Sequence, residues 1–349
     1  MVSLLTLGKF GVLMMKARAM HLDPFSCASG FLRIAVSARA AGVMIFAVMF
    51  FAQCTPERDS SATGDGSMQI SPSDEFKVMT FNLRYDNPGD GKNQWPNRKT
   101  FAADVVRNSG ASIIGIQEGL HHQVVGLDSL LLDFTYVGVG RDDGETQGEY
   151  TAIFVDTTHL KVIEEATFWL SETPDRPSVG WDASMERIAT YALVMRRLDR
   201  PGSSSYGNRP ILVVNGHFDH RGETSRTQAV LLIQDKTEEL RQFGAMESVP
   251  VIVMGDFNAN PSSEAIDVFS SFLTDAYHAT ISSPQGPVAT FNGFEVIDGG
   301  YQEPEGRIDY VFMSDEFAVN SYAAINEVRD GRYVSDHFPI LVGLSVQKR

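Results

Sequence analysis

From residue 76 onward, short apolar runs of strand length recur along the chain, and most of them end in polar side chains. The runs cover residues 76–81, 112–116, 151–155, 191–195, 211–214, 251–254, 308–312 and 338–342. Segments of four to eight residues rich in Val, Ile and Phe, closed by turn formers, predict β-strands. Apolar residues at helical spacing predict helices over 99–108 and 224–243. Strands and helices alternate irregularly, and 151–170 reads as hairpin-like neighbours. The pattern therefore predicts a mixed α/β sandwich rather than a strict βαβ barrel. No fixed-period repeat, and no linker after residue 74, divides this body.

The N-terminal part has a different character. Residues 40–52 form an uncharged apolar run of 13 residues behind a basic stretch. That length suits the apolar part of a signal sequence better than a bilayer span of about 20 residues. The run meets Phe51-Ala52-Gln53-Cys54, which resembles a bacterial lipobox whose Cys is lipidated, with Phe51 and Gln53 departing from the usual pattern. An ordinary signal peptide or short anchor is the plainer reading of the same run. Residues 55–74, rich in Ser, Gly, Asp and Pro, read as a flexible tether. The expected organisation is a signal or lipoprotein segment over 1–54, a linker over 55–74 and one catalytic domain over 75–347. The protein is expected outside the cytoplasm, held to a bacterial membrane by its lipid, and monomeric.

Charge narrows the partners. The whole chain carries a formal −15, but residues 1–56 hold five basic side chains against Asp23 alone, so the remainder has 24 basic and 43 acidic residues, or −19. A body that acidic repels a long polyanion, which favours a small substrate over nucleic acid. Both cysteines, Cys27 and Cys54, precede the body, which excludes a disulfide or a Cys-based zinc site within it.

Candidate chemistry sits at the ends of the strands. Asn82 follows the first run, Gln117 and Glu118 the second, His217, Asp219 and His220 the fifth, and Asp256 and Asn258 the sixth; Ser335, Asp336 and His337 precede the last. Singly, each has a bland explanation as a turn residue or helix cap. Together they supply carboxylate and amide oxygens suited to Mg²⁺ or Mn²⁺, and imidazoles for proton transfer and phosphate contact. In Gly255-Asp256-Phe257-Asn258, the glycine is expected to permit a tight exit. The i, i+2 spacing is expected to put Asp256 and Asn258 on one side while Phe257 anchors in the core. Arg84, Arg98, Arg187 and Arg226 are candidates to line an anionic pocket, since guanidinium matches phosphate geometry. Trp95, Tyr150 and Trp181 read either as substrate-facing aromatics or as core, and His121-His122 as a solvated helix start.

Taken in order, the motifs Thr80–Arg84, Ile116–Glu118, Asn215–His220, Gly255–Asn258, Gly306–Tyr310 and Ser335–His337 resemble the endonuclease/exonuclease/phosphatase superfamily with the DNase I-like fold. TFNLRYDNPGDG and FWLSETPDRP resemble a bacterial extracytoplasmic branch of it. The resemblance implies a four-layer α/β sandwich, two mixed and mainly antiparallel sheets flanked by helices, and a Mg²⁺- or Mn²⁺-dependent hydrolase of phosphate esters. It implies Glu118 as the main metal ligand, supported by Asn82 and by Asp336 from the opposite side. Asp309 would fix the tautomer of His337, His337 and Asn258 would contact the phosphate, Asp256 would orient or deprotonate the attacking water, and His217 would assist the phosphate or leaving group. Asn292 stands where the resemblance often has His. An extracellular nuclease, or a binding protein on the same scaffold, are the competing classes; the acidic body counts against the first and the intact motifs against the second.

Overall fold

The computed structural model describes residues 75–197, 209–242, 249–297 and 301–347. The signal or lipobox segment, Cys54 and the tether lie outside the described residues. In chain order the strands are β1 (Glu75–Asn82), β2 (Ile113–Gln117), β3 (Gly119–Leu120), β4 (Phe134–Val137), β5 (Glu149–Tyr150), β6 (Ile153–Asp156) and β7 (Leu160–Trp169). They continue with β8 (Ile188–Arg196), β9 (Ile211–His217), β10 (Val251–Asp256), β11 (Thr274–Asp275), β12 (Asp309–Met313), β13 (Phe317–Ala324) and β14 (Ile340–Val346). The α-helices are α1 (Trp95–Ser109), α2 (His121–Asp128), α3 (Glu223–Arg241), α4 (Glu264–Ser270) and α5 (Ala276–Ala279).

Two six-stranded sheets, ordered β13-β14-β1-β2-β6-β4 and β11-β12-β10-β9-β8-β7, stack face to face. Val78, Ile113, Val213, Ile252, Met254 and Val342 fill the space between them. The outer face of the first sheet packs Met79, Phe81 and Ile116 against Phe101 and Val105 of α1 and Leu127 of α2. The second sheet packs Val214, Val253 and Phe312 against Val230 and Ile233 of α3 and Phe269 of α4. This is the expected four-layer sandwich. Central strands buried on both faces read as unbroken apolar runs, and all six residues of β10 are buried. Helix α1 starts with Pro96 in its first turn and stops at Gly110, whose φ of 69° suits the left-handed C-terminal cap.

The expected hairpin over 151–170 is not formed. Strand β6 already pairs β2 on one side and β4 on the other, so the chain turns after Asp156 and β7 joins the second sheet beside β8. No helix among the described residues is long and apolar enough to cross a membrane.

Candidate active site

Strand direction gathers the motif residues at one edge. Strands β1 and β2 run parallel with Asn82 opposite Gln117, so Asn82 and Glu118 leave the first sheet together. In the second sheet Asp256 lies beside His217 in parallel register and opposite Asp309 in antiparallel register. Strand β14 runs antiparallel to β1, which returns Asp336 and His337 to the same edge. Beneath them a buried amide bridge joins the sheets. Gln117 Nε2 donates to Thr80 Oγ1 at 3.0 Å and Asn215 Oδ1 at 2.7 Å. Asn215 Nδ2 donates across to the carbonyls of Ile116 and Ala152.

Asn82 Nδ2 donates at 2.9 Å both to Glu118 Oε1 and to Asp256 Oδ2, tying the two sheets' carboxylates together. His337 Nδ1 lies 2.9 Å from Asp309 Oδ2, which also accepts from the Thr290 hydroxyl at 2.6 Å. That arrangement leaves His337 Nε2 3.8 Å from Asp256 Oδ2. On the other flank, His217 Nε2 lies 3.7 Å from the same oxygen and Nδ1 3.6 Å from Glu149 Oε2. Burial pushes the Asp256 carboxyl up to about 7, with the charge of Asp309 adding to it. Burial alone would lower His337, but Asp309 and Asp256 outweigh it and raise the imidazole well above its ordinary value. His217 is driven the other way, first by burial and then by Arg187 and Arg141, well below its ordinary value. The two imidazoles flanking Asp256 are thus shifted in opposite directions.

One ligand atom each from Glu118, Asp256 and His337 lies within 4.8 Å of the others. The donor set fits a hard divalent cation, which binds through one or two carboxylates and keeps positions for water and substrate oxygens. Asp336 adds a further buried carboxylate, raised by burial, and stands 3.6 Å from Arg84 Nε. Three non-glycine residues here adopt positive φ: Arg84 at 57°, Glu118 at 59° and Asn258 at 46°. Such strain persists only where surrounding contacts enforce it. Arg84 N–H donates to Asn82 Oδ1, Tyr85 N–H to Glu118 Oε2, and Asn258 N–H to Asp256 Oδ1.

These contacts correct two expectations about the Gly-Asp-Phe-Asn stretch. Asn258 is not a strand residue on the face of Asp256: β10 ends at Asp256, and an Asx turn brings Asn258 round, with its Nδ2 on the Phe218 carbonyl. Gly255 lies within the strand rather than at its exit. A Cβ there would sit 2.0 Å from the Gly216 carbonyl oxygen, so close approach of the paired backbones requires glycine. Phe257 does anchor the pair, fully buried and stacked on Phe218, Phe269 and Tyr310.

The arginines divide. Arg98 does not line a pocket: it is fully buried and donates to the carbonyls of Leu83, Arg84, Asn93 and Val334. Arg226 is half-buried, with Nη1 on the Asp219 carbonyl. Arg84 stands at the site, paired to Asp90 through two hydrogen bonds. Arg187 is buried, 3.0 Å from His217 Nε2 and 2.8 Å from His220 Nδ1, and paired with Asp219. Arg141 and Glu149 were not among the expected residues. They form a paired contact at 2.8 and 2.9 Å, and Glu149 reaches His217. The charge-dense, glycine-rich stretch 140–150 was their only signal. Trp95 and Tyr150 are core, His121 and His122 open α2 and bond Tyr150 and Asp86, and Asn292 is buried in an Asx turn with Phe294.

Comparison with known proteins agrees with this geometry. The family model described as the Endonuclease/Exonuclease/phosphatase family matches residues 79–337. A family protein from Bacteroides thetaiotaomicron is 33% identical, with a TM-score of 0.71, over 78% of this chain and 98% of its own. A mannosyl-6-phosphatase from the same bacterium is 34% identical, with a TM-score of 0.69, over 77% of this chain and 99% of its own. The human Nocturnin catalytic domain, 19% identical with a TM-score of 0.58 over 78% and 94%, shares the fold. With its motifs gathered at one edge of a DNase I-like sandwich and the family match running from β1 to His337, the chain belongs to the endonuclease/exonuclease/phosphatase family of phosphoesterases.

Proposed function

We propose that this chain hydrolyses a small phosphate ester with Mg²⁺ or Mn²⁺, and that a sugar phosphate monoester is the substrate class best supported. The observation that carries the reading is the convergence of Glu118, Asp256 and His337, with Asp309 behind the imidazole. The sugar phosphate follows from the 34%-identical mannosyl-6-phosphatase. Small size is supported by the acidic body and by the pairing of Arg84, Arg141 and Arg187 with Asp90, Glu149 and Asp219, which commits their charge.

In this reading Glu118 and Asp256 hold the cation, with Asn82 orienting both carboxylates and Asp336 close by. When bound, the cation offsets negative charge on the phosphoryl and leaving oxygens. Asp256 orients the attacking water for in-line displacement. His337, its Nδ1 engaged by Asp309, presents its Nε2–H to a phosphoryl oxygen, and Asn258 follows Asp256 in the turn that fixes that carboxylate. His217, between Asp256 and Glu149 with Arg187 against its ring, lines the phosphate site without supplying a proton. A positioned proton donor such as His337 contributes about 10²- to 10⁴-fold to rate.

The test is turnover of a panel of sugar phosphates, simple phosphodiesters and duplex DNA by the purified body. EDTA should abolish hydrolysis and Mg²⁺ or Mn²⁺ restore it, and His337→Ala should lower kcat about 10²-fold or more in a folded protein. Full turnover by His337→Ala, or indifference to chelator, refutes the reading. Cleavage of DNA in preference to every small ester puts a nuclease in its place.

A further inference from the structure

The turn after Thr290 touches the catalytic imidazole yet has no part in the chemistry above. Phe291 forms an antiparallel bridge with His337, and the two rings meet edge to face, centroids 5.2 Å apart at 74°. His337 is 4% exposed, whereas Phe291 beside it is 46% exposed. An apolar ring is thus left open to solvent next to the reacting centre.

The turn is built to hold that ring still. The backbone N–H groups of Asn292 and Gly293 both donate to the Asp336 carbonyl, at 2.7 and 3.1 Å, and Phe291 N–H donates to Gly306. The Tyr301 hydroxyl donates to the carbonyl of Asn292, and Phe294 N–H to Asn292 Oδ1. Gly293 and Phe294 follow each other at φ 57° and 65°, a conformation costly for Phe that these contacts maintain. The Phe294 ring lies 5.2 Å from the Arg98 guanidinium carbon, and Arg98 is itself pinned to the carbonyl of Val334. Through Asp336 and Val334, the segment carrying His337 and the turn carrying Phe291 are fixed to each other.

We propose that Phe291 is a specificity-determining residue whose exposed face receives a ring in the leaving group. This rests on the phosphoesterase reading and names what that site selects. A phosphoryl oxygen that accepts from His337 Nε2 lies beside the Phe291 ring, whose centroid is 5.2 Å from that imidazole, so an alcohol leaving on this side extends over the exposed face of Phe291. A pyranose offers an apolar C–H face, and a nucleoside offers a flat base. An acyclic alcohol offers neither, so it gains nothing from the platform. Aromatic stacking of this kind is worth about 0.5–1.5 kcal/mol beyond area burial, or about two- to tenfold in affinity.

The experiment compares kcat and KM of wild type, Phe291→Ala and Phe291→Tyr, each folded by its melting temperature, on mannose 6-phosphate, adenosine 5′-monophosphate and glycerol 3-phosphate with Mg²⁺. Phe291→Ala should lower the kcat/KM ratio of mannose 6-phosphate to glycerol 3-phosphate about two- to tenfold, chiefly through KM, and Phe291→Tyr should restore it. A fall confined to the adenosine ester supports the platform and makes its occupant a base. Equal losses on all three esters, or unchanged ratios, overturn the proposal while leaving the phosphoesterase reading intact. A wild type that hydrolyses none of them, nor any member of the wider panel, overturns both.

Discussion

Replacing Asp219 with Asn tests the electrostatic frame behind His217. Asp219 is fully buried and accepts five hydrogen bonds: Ser184 N–H, Ser184 Oγ and Arg187 Nε on one oxygen, Arg221 N–H and Gly222 N–H on the other. Burial alone would raise its pKa, but the bonds from Ser184, Gly222 and Arg221 outweigh burial and hold it well below the usual carboxylate range. Asn keeps the shape and removes the charge, leaving the buried Arg187 guanidinium without its salt-bridged carboxylate and with only Glu149 acting on it from further off. Breaking a buried pair in this way costs about 3–5 kcal/mol. With an unfolding entropy of about 2.1 cal/mol/K per residue over about 270 residues, that is a fall in Tm of about 5–9 °C. The folded carboxyl titrates below the unfolded one, so its contribution is present above the unfolded value of about 3.9 and is lost as pH falls through the folded value. Urea unfolding followed by tryptophan fluorescence from pH 7 to pH 3 should show a full gap between wild type and Asp219→Asn at pH 7, narrowing below about pH 4. A gap under 1 kcal/mol at pH 7, or one undiminished at pH 3, refutes the reasoning.

Two further outcomes follow from charge and sequence. Duplex DNA should be cut poorly at both low and physiological salt while turnover of the best small ester changes little between them; efficient DNA cleavage that falls steeply with salt would contradict this. Cys54→Ser should release the protein from the membrane fraction or leave it unprocessed, and unchanged lipid labelling and fractionation would instead indicate a conventional signal peptide.

Strands buried on both faces were legible because burial removes polar residues from the whole run, as in β1, β2 and β10. Strand β7, Leu160–Trp169, was legible as one arm of a hairpin, but its partner was not, because nothing in its own pattern says that it crosses to the second sheet to pair with β8. Two-residue β3, β5 and β11 are too short to leave a pattern, and of α2 only the start at His121-His122 was legible. The site was legible wherever a motif residue terminates a strand, because direction then carries it to the common edge. Arg98 was misread because its partners are backbone carbonyls, which no side-chain pattern reveals. The Arg141–Glu149 pair was missed because a folded loop closed by the two-residue β5 brings it to His217. Its glycines are needed for packing: a Cβ on Gly148 would lie 2.2 Å from Asp142 Oδ1.

The amide bridge between the sheets has a bearing on when the protein becomes active. Asn82 and Glu118 leave the first sheet, His217, Asp256 and Asp309 belong to the second, and His337 arrives just before β14, the late strand that pairs back onto β1. No contiguous stretch of chain holds the working set. A nascent chain emerging from its N-terminus can form β1 and β2, then the second sheet, and still lack its imidazole until the final segment is delivered. Only when β14 has closed against β1 and the Asn215–Gln117 contact has set one sheet over the other do the carboxylates and the two imidazoles share one opening. A chain still being made therefore lacks the complete set of site residues until its last strand is in place.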